Sequence, residues 1–293
     1  MIIKNISKLV DKKNKSLICP VGLKIGNKNY LFFSSIDKSK KAKLGYCNLL
    51  IEDKKKILKV NNFTELKKIN KLGIFKDGCI ITSILKDKNT LIFFCASFKK
   101  KNKLDYKLKP YFFKTNLNFE LKNKPKLLFN NEFKNFRFAG SVSCLKEKNT
   151  YTIYYSIGNN WYTHNKNKKY PIYKVYHTKT KNFKKYSFNK KPLIDFVDKN
   201  DEYGIGRPSR LDLKNNLMLF SVRNKKNYYS QKICRVNNNK ITRINLRLSN
   251  NNKFKLNIDN ICYGCFFKYK NKKIILFNNN NLKKASIYCG YLS

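Results

Sequence analysis

Apolar residues in this chain gather in short runs separated by Lys, Asn and Ser, and the runs recur. Five of them read NYLFFSS (29–35), TLIFFCAS (90–97), YTIYYSIG (151–158), LMLFSVR (217–223) and IILFNNN (274–280). Their spacing is roughly 60 residues, a period that points to solenoids or propellers. Each run is β-branched and aromatic and too short for a buried helix, so each predicts a strand. A second strand-like segment precedes each run, at 17–25, 78–86, 139–146, 205–213 and 260–269. A third follows, at 44–51, 110–117, 170–177, 228–236 and 286–292, and a weaker fourth closes four of the units, at 55–60, 125–129, 185–188 and 240–246. The fifth unit runs out of chain after its third strand, and residues 1–9 (MIIKNISKL) are free to supply the missing one.

Five units of four antiparallel strands predict an all-β, five-bladed β-propeller, with the ring closed by the N-terminal strand so that two sheet edges are hidden at once. The expected blades are 11–62, 74–130, 136–190, 202–247 and 255–293 plus 1–9, forming a single domain over 1–293 with no Pro-, Gly- or Ser-rich linker to divide it.

Composition adjusts this picture little. Hydrophobic residues make up 42% of the chain and aromatics 14%, enough for a core. The net charge of +48 invites a nucleic-acid reading. Lys and Asn, however, are spread through every loop while Ile and Phe fill the apolar sites, the pattern of an AT-rich genome, so no specific nucleic-acid partner is expected. The Lys run at 12–15 falls in an expected turn. The chain's start lacks the uninterrupted apolar core of a signal peptide, and no apolar stretch reaches membrane-spanning length. Nine Cys, an odd number placed mostly inside strands, fit a reducing cytoplasm. Cys262 and Cys265 form a CxxC without a second pair, and His164 and His177 have no metal or triad spacing, so neither metal nor cofactor is expected.

In a propeller, the starts of first strands and the ends of second strands converge on one face of the axis, the natural concave pocket. There the sequence places Asp77-Gly78, Arg137, Trp161, Glu202, Gly206-Arg207-Pro208, Arg223, Asp259, Tyr263 and Asn278. Only 17 residues are acidic, which draws attention to Asp77 and Glu202 as a catalytic pair, although Asp77 before Gly is also ordinary turn chemistry. Arg207 beside Pro, flanked by Gly, is expected to be enclosed and to need an acidic neighbour or a bound anion. Trp161 lies within the polar stretch NNWYTHN and suits a sugar-stacking platform.

At these corners the sequence resembles the glycoside-hydrolase-like five-bladed propellers, the superfamily of families 32, 43, 68 and 130. Within it the likeness is to bacterial members found with surface-polysaccharide genes. The motifs that carry it are Asp77-Gly78, Gly158-Asn159-Asn160-Trp161, Arg207-Pro208 followed by Phe220-Ser221-Val222-Arg223, and Phe277-Asn278-Asn279-Asn280. The chain departs from the pattern where family 43 carries an Asp before Pro in the first blade, since Ser16-Leu17-Ile18-Cys19-Pro20 has none, and in its last blade, where Leu256-Asn257-Ile258-Asp259 replaces a Trp-Asp.

The resemblance implies a carbohydrate-active protein of polysaccharide metabolism. As an enzyme it would use Glu202 as proton donor and Asp77 as base or nucleophile, with Trp161, Arg207, Arg223, Asp259, Tyr263 and Asn278 binding a sugar, acidic or phosphorylated. As a binding propeller for a glycan or nucleotide sugar it would keep Trp161 and the arginines and ignore the carboxylates. A basic nucleic-acid-binding module is the third reading. The first requires the Asp77 and Glu202 carboxyls to face each other across a pocket within about 10 Å.

Overall fold

A computed structural model of the protein describes residues 1–10, 16–36, 41–52, 57–100, 106–129, 136, 138–165, 168–197, 201–212, 214–226, 229–237, 240–249, 254–279 and 285–293. The Lys run at 12–15, Arg137 and Asn280 lie outside them.

The chain is all-β. After β1 (Ile2–Val10), a first meander comprises β2 (Ser16–Ile25), β3 (Lys28–Ile36), β4 (Ala42–Glu52) and β5 (Ile57–Glu65). A second comprises β6 (Cys79–Asp87), β7 (Thr90–Lys100), β8 (Tyr106–Thr115) and β9 (Lys126–Leu127). The third has β10 (Phe138–Glu147) and β11 (Thr150–Gly158), then a separate hairpin of β12 (Trp161–Asn165) and β13 (Lys168–Pro171), then β14 (Lys174–Thr180) and β15 (Ser187–Phe188). The fourth runs β16 (Glu202–Arg210), β17 (Leu217–Asn224), β18 (Tyr229–Asn237) and β19 (Lys240–Ile244), followed by the short β20 (Arg247–Leu248). The last has β21 (Ile261–Tyr269), β22 (Lys272–Asn279) and β23 (Ile287–Leu292). Its next strand is β1, antiparallel to β23 with Ile3 opposite Leu292 and Val10 opposite Ile287, and β20 pairs parallel on the far side of β1. One parallel pair, Phe138 with Leu108, merges the second and third meanders into a single eight-stranded sheet.

The core explains why the second strands read as unbroken apolar runs. Both of their faces are buried, and alternate residues face different neighbours. On β7, Leu91 and Phe93 pack with Phe32 of β3, while Ile92 and Phe94 pack with Ile153 of β11. On β17, Met218 and Phe220 pack with Tyr154 of β11, while Leu217 and Leu219 pack with Ile275 of β22. Finally Ile274 and Leu276 of β22 pack with Leu31 and Phe33 of β3, so the fifth meander lies against the first. The first strands follow the same circuit: β2 touches β6 and β21, β6 touches β10, β10 touches β16, and β16 touches β21.

Several element boundaries differ from the sequence reading, and two of them bear on the site. The strand expected over 170–177 is interrupted after Pro171, which has no amide hydrogen to continue a ladder. Ile172 N–H donates to the Asn160 carbonyl instead, at 2.8 Å, so the hairpin β12–β13 stands apart from the meander. The strand expected over 205–213 runs from Glu202 to Arg210, because Asp212 caps the following turn by accepting from Asn215 N–H at 2.7 Å. Among the described residues no helix is long and apolar enough to cross a membrane.

Candidate functional site

Every first strand is broken by a bulge at the same level. Its register against the second strand shifts between Ile18 and Val21, Ile81 and Ser83, Gly140 and Ser143, Gly206 and Ser209, and Cys262 and Cys265. A bulge leaves a residue unpaired and re-aims its side chain. Cys19, Ser141, Arg207 and Tyr263 take φ of 60°, 49°, 56° and 56°, left-handed conformations that bulky residues rarely adopt. Such backbone costs about 1–3 kcal/mol per residue and gathers where function needs a side chain held out of register.

The neighbouring meander pins the bulges. At the residue opposite the last regular pair before the bulge, the second strand carries a polar side chain that reaches across the seam. Ser34 Oγ accepts Ile81 N–H at 2.9 Å, Ser221 Oγ accepts Tyr263 N–H at 2.8 Å, and Asn278 Oδ1 accepts Cys19 N–H at 2.9 Å. Asn278 Nδ2 also donates to the Leu17 and Ser286 carbonyls, at 2.7 and 2.9 Å. Ser156 holds the corresponding place on β11, opposite Gly140, yet its buried Oγ has no hydrogen-bond partner.

Cys19, Thr82, Ser141, Arg207 and Tyr263, one from each bulge, all line one cavity of about 140 Å³. Ser156 and Arg223 join them from the second strands, and Tyr106, Tyr173 and Tyr229 complete an aromatic wall. Tyr173 arrives on the segment that leaves β13. Ile205 N–H donates to its carbonyl at 2.8 Å, and its ring lies on Gly206, where a Cβ would stand 2.6 Å from it.

Two arginines dominate the electrostatics. Arg207, 3% exposed, is the most buried charged residue among those described. It donates from Nη1 to the Ile81 carbonyl at 2.6 Å and from Nη2 to the Pro20 carbonyl at 3.4 Å, so it ties two other first strands together. Arg223 is 7% exposed and sits among four tyrosine rings: Tyr229 at 4.4 Å, Tyr170 at 4.9 Å, Tyr203 at 5.8 Å and Tyr173 at 6.0 Å. Its Nε and Nη1 are buried without a hydrogen-bond partner.

The tyrosines do not neutralise it. Burial pushes the Tyr106 phenol up to about 12 against the opposing pull of Arg223, and burial likewise raises Tyr203 and Tyr263. All three are uncharged phenols at neutral pH. No Asp or Glu belongs to the cavity wall among the described residues. Desolvating a cation costs several kcal/mol, and each cation–π contact returns about 0.5–2 kcal/mol. The site therefore holds positive charge in excess of what surrounds it.

The remaining sequence candidates lie elsewhere. Trp161, the first residue of β12, is half-buried and packs edge-on against Phe138 and Tyr106 at centroid distances of 4.6 and 5.4 Å, which puts it behind the wall. Glu202 starts β16 and is buried, but its carboxylate is held by Arg243 of β19, with Nη1–Oε1 2.5 Å and Nη2–Oε2 2.8 Å, and it accepts Val197 N–H at 3.0 Å. Asp77 is half-buried in the turn after the 3₁₀ helix Gly73–Phe75, and neither it nor Glu202 reaches the cavity. Gly78 beside it has φ 110°, and a Cβ there would meet Ala42 N at 2.9 Å, so the pair Asp77-Gly78 makes a tight turn. Asp259 is exposed in the 3₁₀ helix Ile258–Asn260, 3.9 Å from Lys232. Sequence reasoning misses Tyr106, Tyr170, Tyr173, Tyr203 and Tyr229. For Tyr170, Tyr173 and Tyr203 the signal is the placing of Tyr on either side of Pro171 and directly before Gly204.

No protein-family model and no curated protein matches the sequence. Solved structures do match in fold. Sucrose-6-phosphate hydrolase from Lactobacillus gasseri superposes with a TM-score of 0.70 at 10% identity, over 97% of this chain and 60% of that one. BT0996, solved as an RGII complex, gives 0.67 at 8% identity, over 98% and 90%. A thermostable family-43 glycoside hydrolase gives 0.55 at 12% identity, over 78% and 75%. At these identities the likeness shows the fold alone, an all-β fold that these glycoside hydrolases share.

Proposed function

We propose that this chain is a single five-bladed propeller, closed by β1, that binds a carbohydrate in the cavity where its five first strands meet. The fivefold bulge, the circuit of packed meanders and the fold neighbours support the architecture. The neighbours include a sucrose-6-phosphate hydrolase and a protein solved as an RGII complex, which supports a sugar as ligand and a role in polysaccharide metabolism. At about 140 Å³ the cavity is smaller than the roughly 300–1,000 Å³ clefts that take drug-sized ligands, so it fits a terminal residue rather than a stretch of glycan.

The reading favoured is binding rather than hydrolysis by paired carboxylates. One observation carries it: the cavity wall has two buried arginines and no carboxylate among the described residues, while Glu202 is engaged by Arg243. Glycoside hydrolysis of the usual kind needs two carboxyls flanking the scissile bond, about 5–9.5 Å apart. The test is a panel of glycans assayed for binding and for turnover with wild type, Glu202→Gln and Arg207→Ala. Binding should survive Glu202→Gln and vanish with Arg207→Ala, without turnover by the wild type. Turnover abolished by Glu202→Gln with binding retained would establish an enzyme instead.

A further inference from the structure

We infer that the ligand of this cavity carries an anionic group, a uronate carboxylate or a sugar phosphate, and that Arg223 with Ser156 recognises it. This rests on the reading of the cavity as a sugar site and adds the ligand's charge.

Arg207 and Arg223 are both buried, yet they are used differently. Arg207 directs its guanidinium at the carbonyls of Ile81 and Pro20 and so holds the first strands in place. Arg223 ties no strands together: its guanidinium meets the Tyr203 hydroxyl in a hydrogen bond. Tyrosine rings cover its faces, with Tyr229 and Tyr170 within 5 Å, but a ring face does not satisfy an N–H lying in the guanidinium plane. Nε and Nη1 remain buried and unpartnered.

Ser156 is the second, independent observation. At three seams the equivalent side chain is occupied in pinning the next bulge, through Ser34, Ser221 and Asn278. Ser156 has the same place in its meander, lines the cavity, and has a buried hydroxyl bonded to nothing. Two elements, β11 and β17, thus present unspent donors to one small space. Charge chooses between a neutral and an anionic acceptor. With phenols on the wall and no carboxylate among the described residues, the cation is balanced only by the ligand.

The test is isothermal titration calorimetry at constant ionic strength with four probes: D-glucose, D-glucuronate, D-glucose 1-phosphate and inorganic phosphate. Wild type, Arg223→Gln and Ser156→Ala are compared, each checked by circular dichroism. One acidic sugar should bind about 10- to 100-fold tighter than glucose, the range that hydrogen bonds to charged groups carry. Which of the two is preferred identifies carboxylate or phosphate. Arg223→Gln should erase the preference, and Ser156→Ala, which removes only one hydroxyl from a folded strand, should reduce it several-fold. Equal binding of glucose and both acidic sugars overturns the inference and leaves the sugar site standing. Arg223-dependent binding of inorganic phosphate, with neither sugar acid binding better, supports the anion site and overturns the sugar reading. Binding of none of the four overturns the inference.

Discussion

An unbalanced buried cation should be visible in stability before any ligand is found. Consider Arg223→Met, which replaces the guanidinium by an apolar side chain of similar reach. Removing the cation from water costs the native state several kcal/mol. Two tyrosine rings within 5 Å and two more near 6 Å return only part of it, at about 0.5–2 kcal/mol for a contact of good geometry. Nε and Nη1 add the penalty of unmade hydrogen bonds. Exchanging buried ionic groups for apolar ones is often stabilising by about 1–4 kcal/mol, so a gain of about 1–3 kcal/mol is expected here. For a chain of 293 residues, at about 2.1 cal/mol/K of unfolding entropy per residue, that raises Tm by about 2–5 °C. Arg243→Met supplies the control in the same meander. It strands the Glu202 carboxylate, whose side chain is only 2% exposed. Breaking a buried pair costs about 3–5 kcal/mol; with Arg243 itself 25% exposed, about 2–3 kcal/mol is expected, and Tm should fall by about 3–5 °C. Thermal melts of the two variants without ligand should move in opposite directions. A fall for Arg223→Met comparable to that for Arg243→Met would mean that Arg223 is a paired structural strut, and the reasoning about excess charge would fail.

Three further outcomes follow from the same geometry. Deleting residues 1–9 removes the partner of β23 together with buried Ile3 and Leu9, so the loss should exceed about 3–6 kcal/mol, and an unchanged melting temperature would refute closure by β1. Gly206→Ala puts a methyl 2.6 Å from the Tyr173 ring, which should cost about 1–3 kcal/mol and weaken ligand binding more than it weakens the fold; unaltered affinity would take Tyr173 out of the site. Asp87, held below the ordinary carboxylate range chiefly by its hydrogen bond from Lys146 and also by Tyr151, links the second and third meanders. Because its folded pKa is lowered, its contribution is complete above the unfolded value near 3.9 and disappears as pH falls through the folded one. The Tm difference between wild type and Asp87→Asn should therefore be present at neutral pH and close in acid, and a difference independent of pH would assign the effect to packing.

The second strands were legible because burial on both faces leaves a signature that no loop imitates, a run such as Leu91–Ala96 with every residue buried. The first strands were legible in extent but not in detail. A bulge is a mismatch in count between two strands, so it does not exist in either sequence alone, and Pro20, Pro208 and Gly264 only hint at it. That is why Arg207 and Tyr263 are aimed from mid-strand rather than from the strand head. Glu202 shows the opposite failure. A carboxylate at a strand head in an acid-poor chain suggests chemistry, while the partner that claims it, Arg243, lies 41 residues away on an outer strand. The tyrosine cage draws on β16, β18, the hairpin and the segment after it, and only closure of the fold collects these around Arg223.

The most direct measurement is a crystal structure of the protein with D-glucuronate or D-glucose 1-phosphate, whichever binds tighter. The account predicts the sugar in the cavity among the five bulges, with its acidic group within hydrogen-bond distance of Arg223 and Ser156 and its ring against Tyr173 or Tyr229. A sugar bound elsewhere on the protein, or one whose acidic group points to solvent away from Arg223, would contradict it.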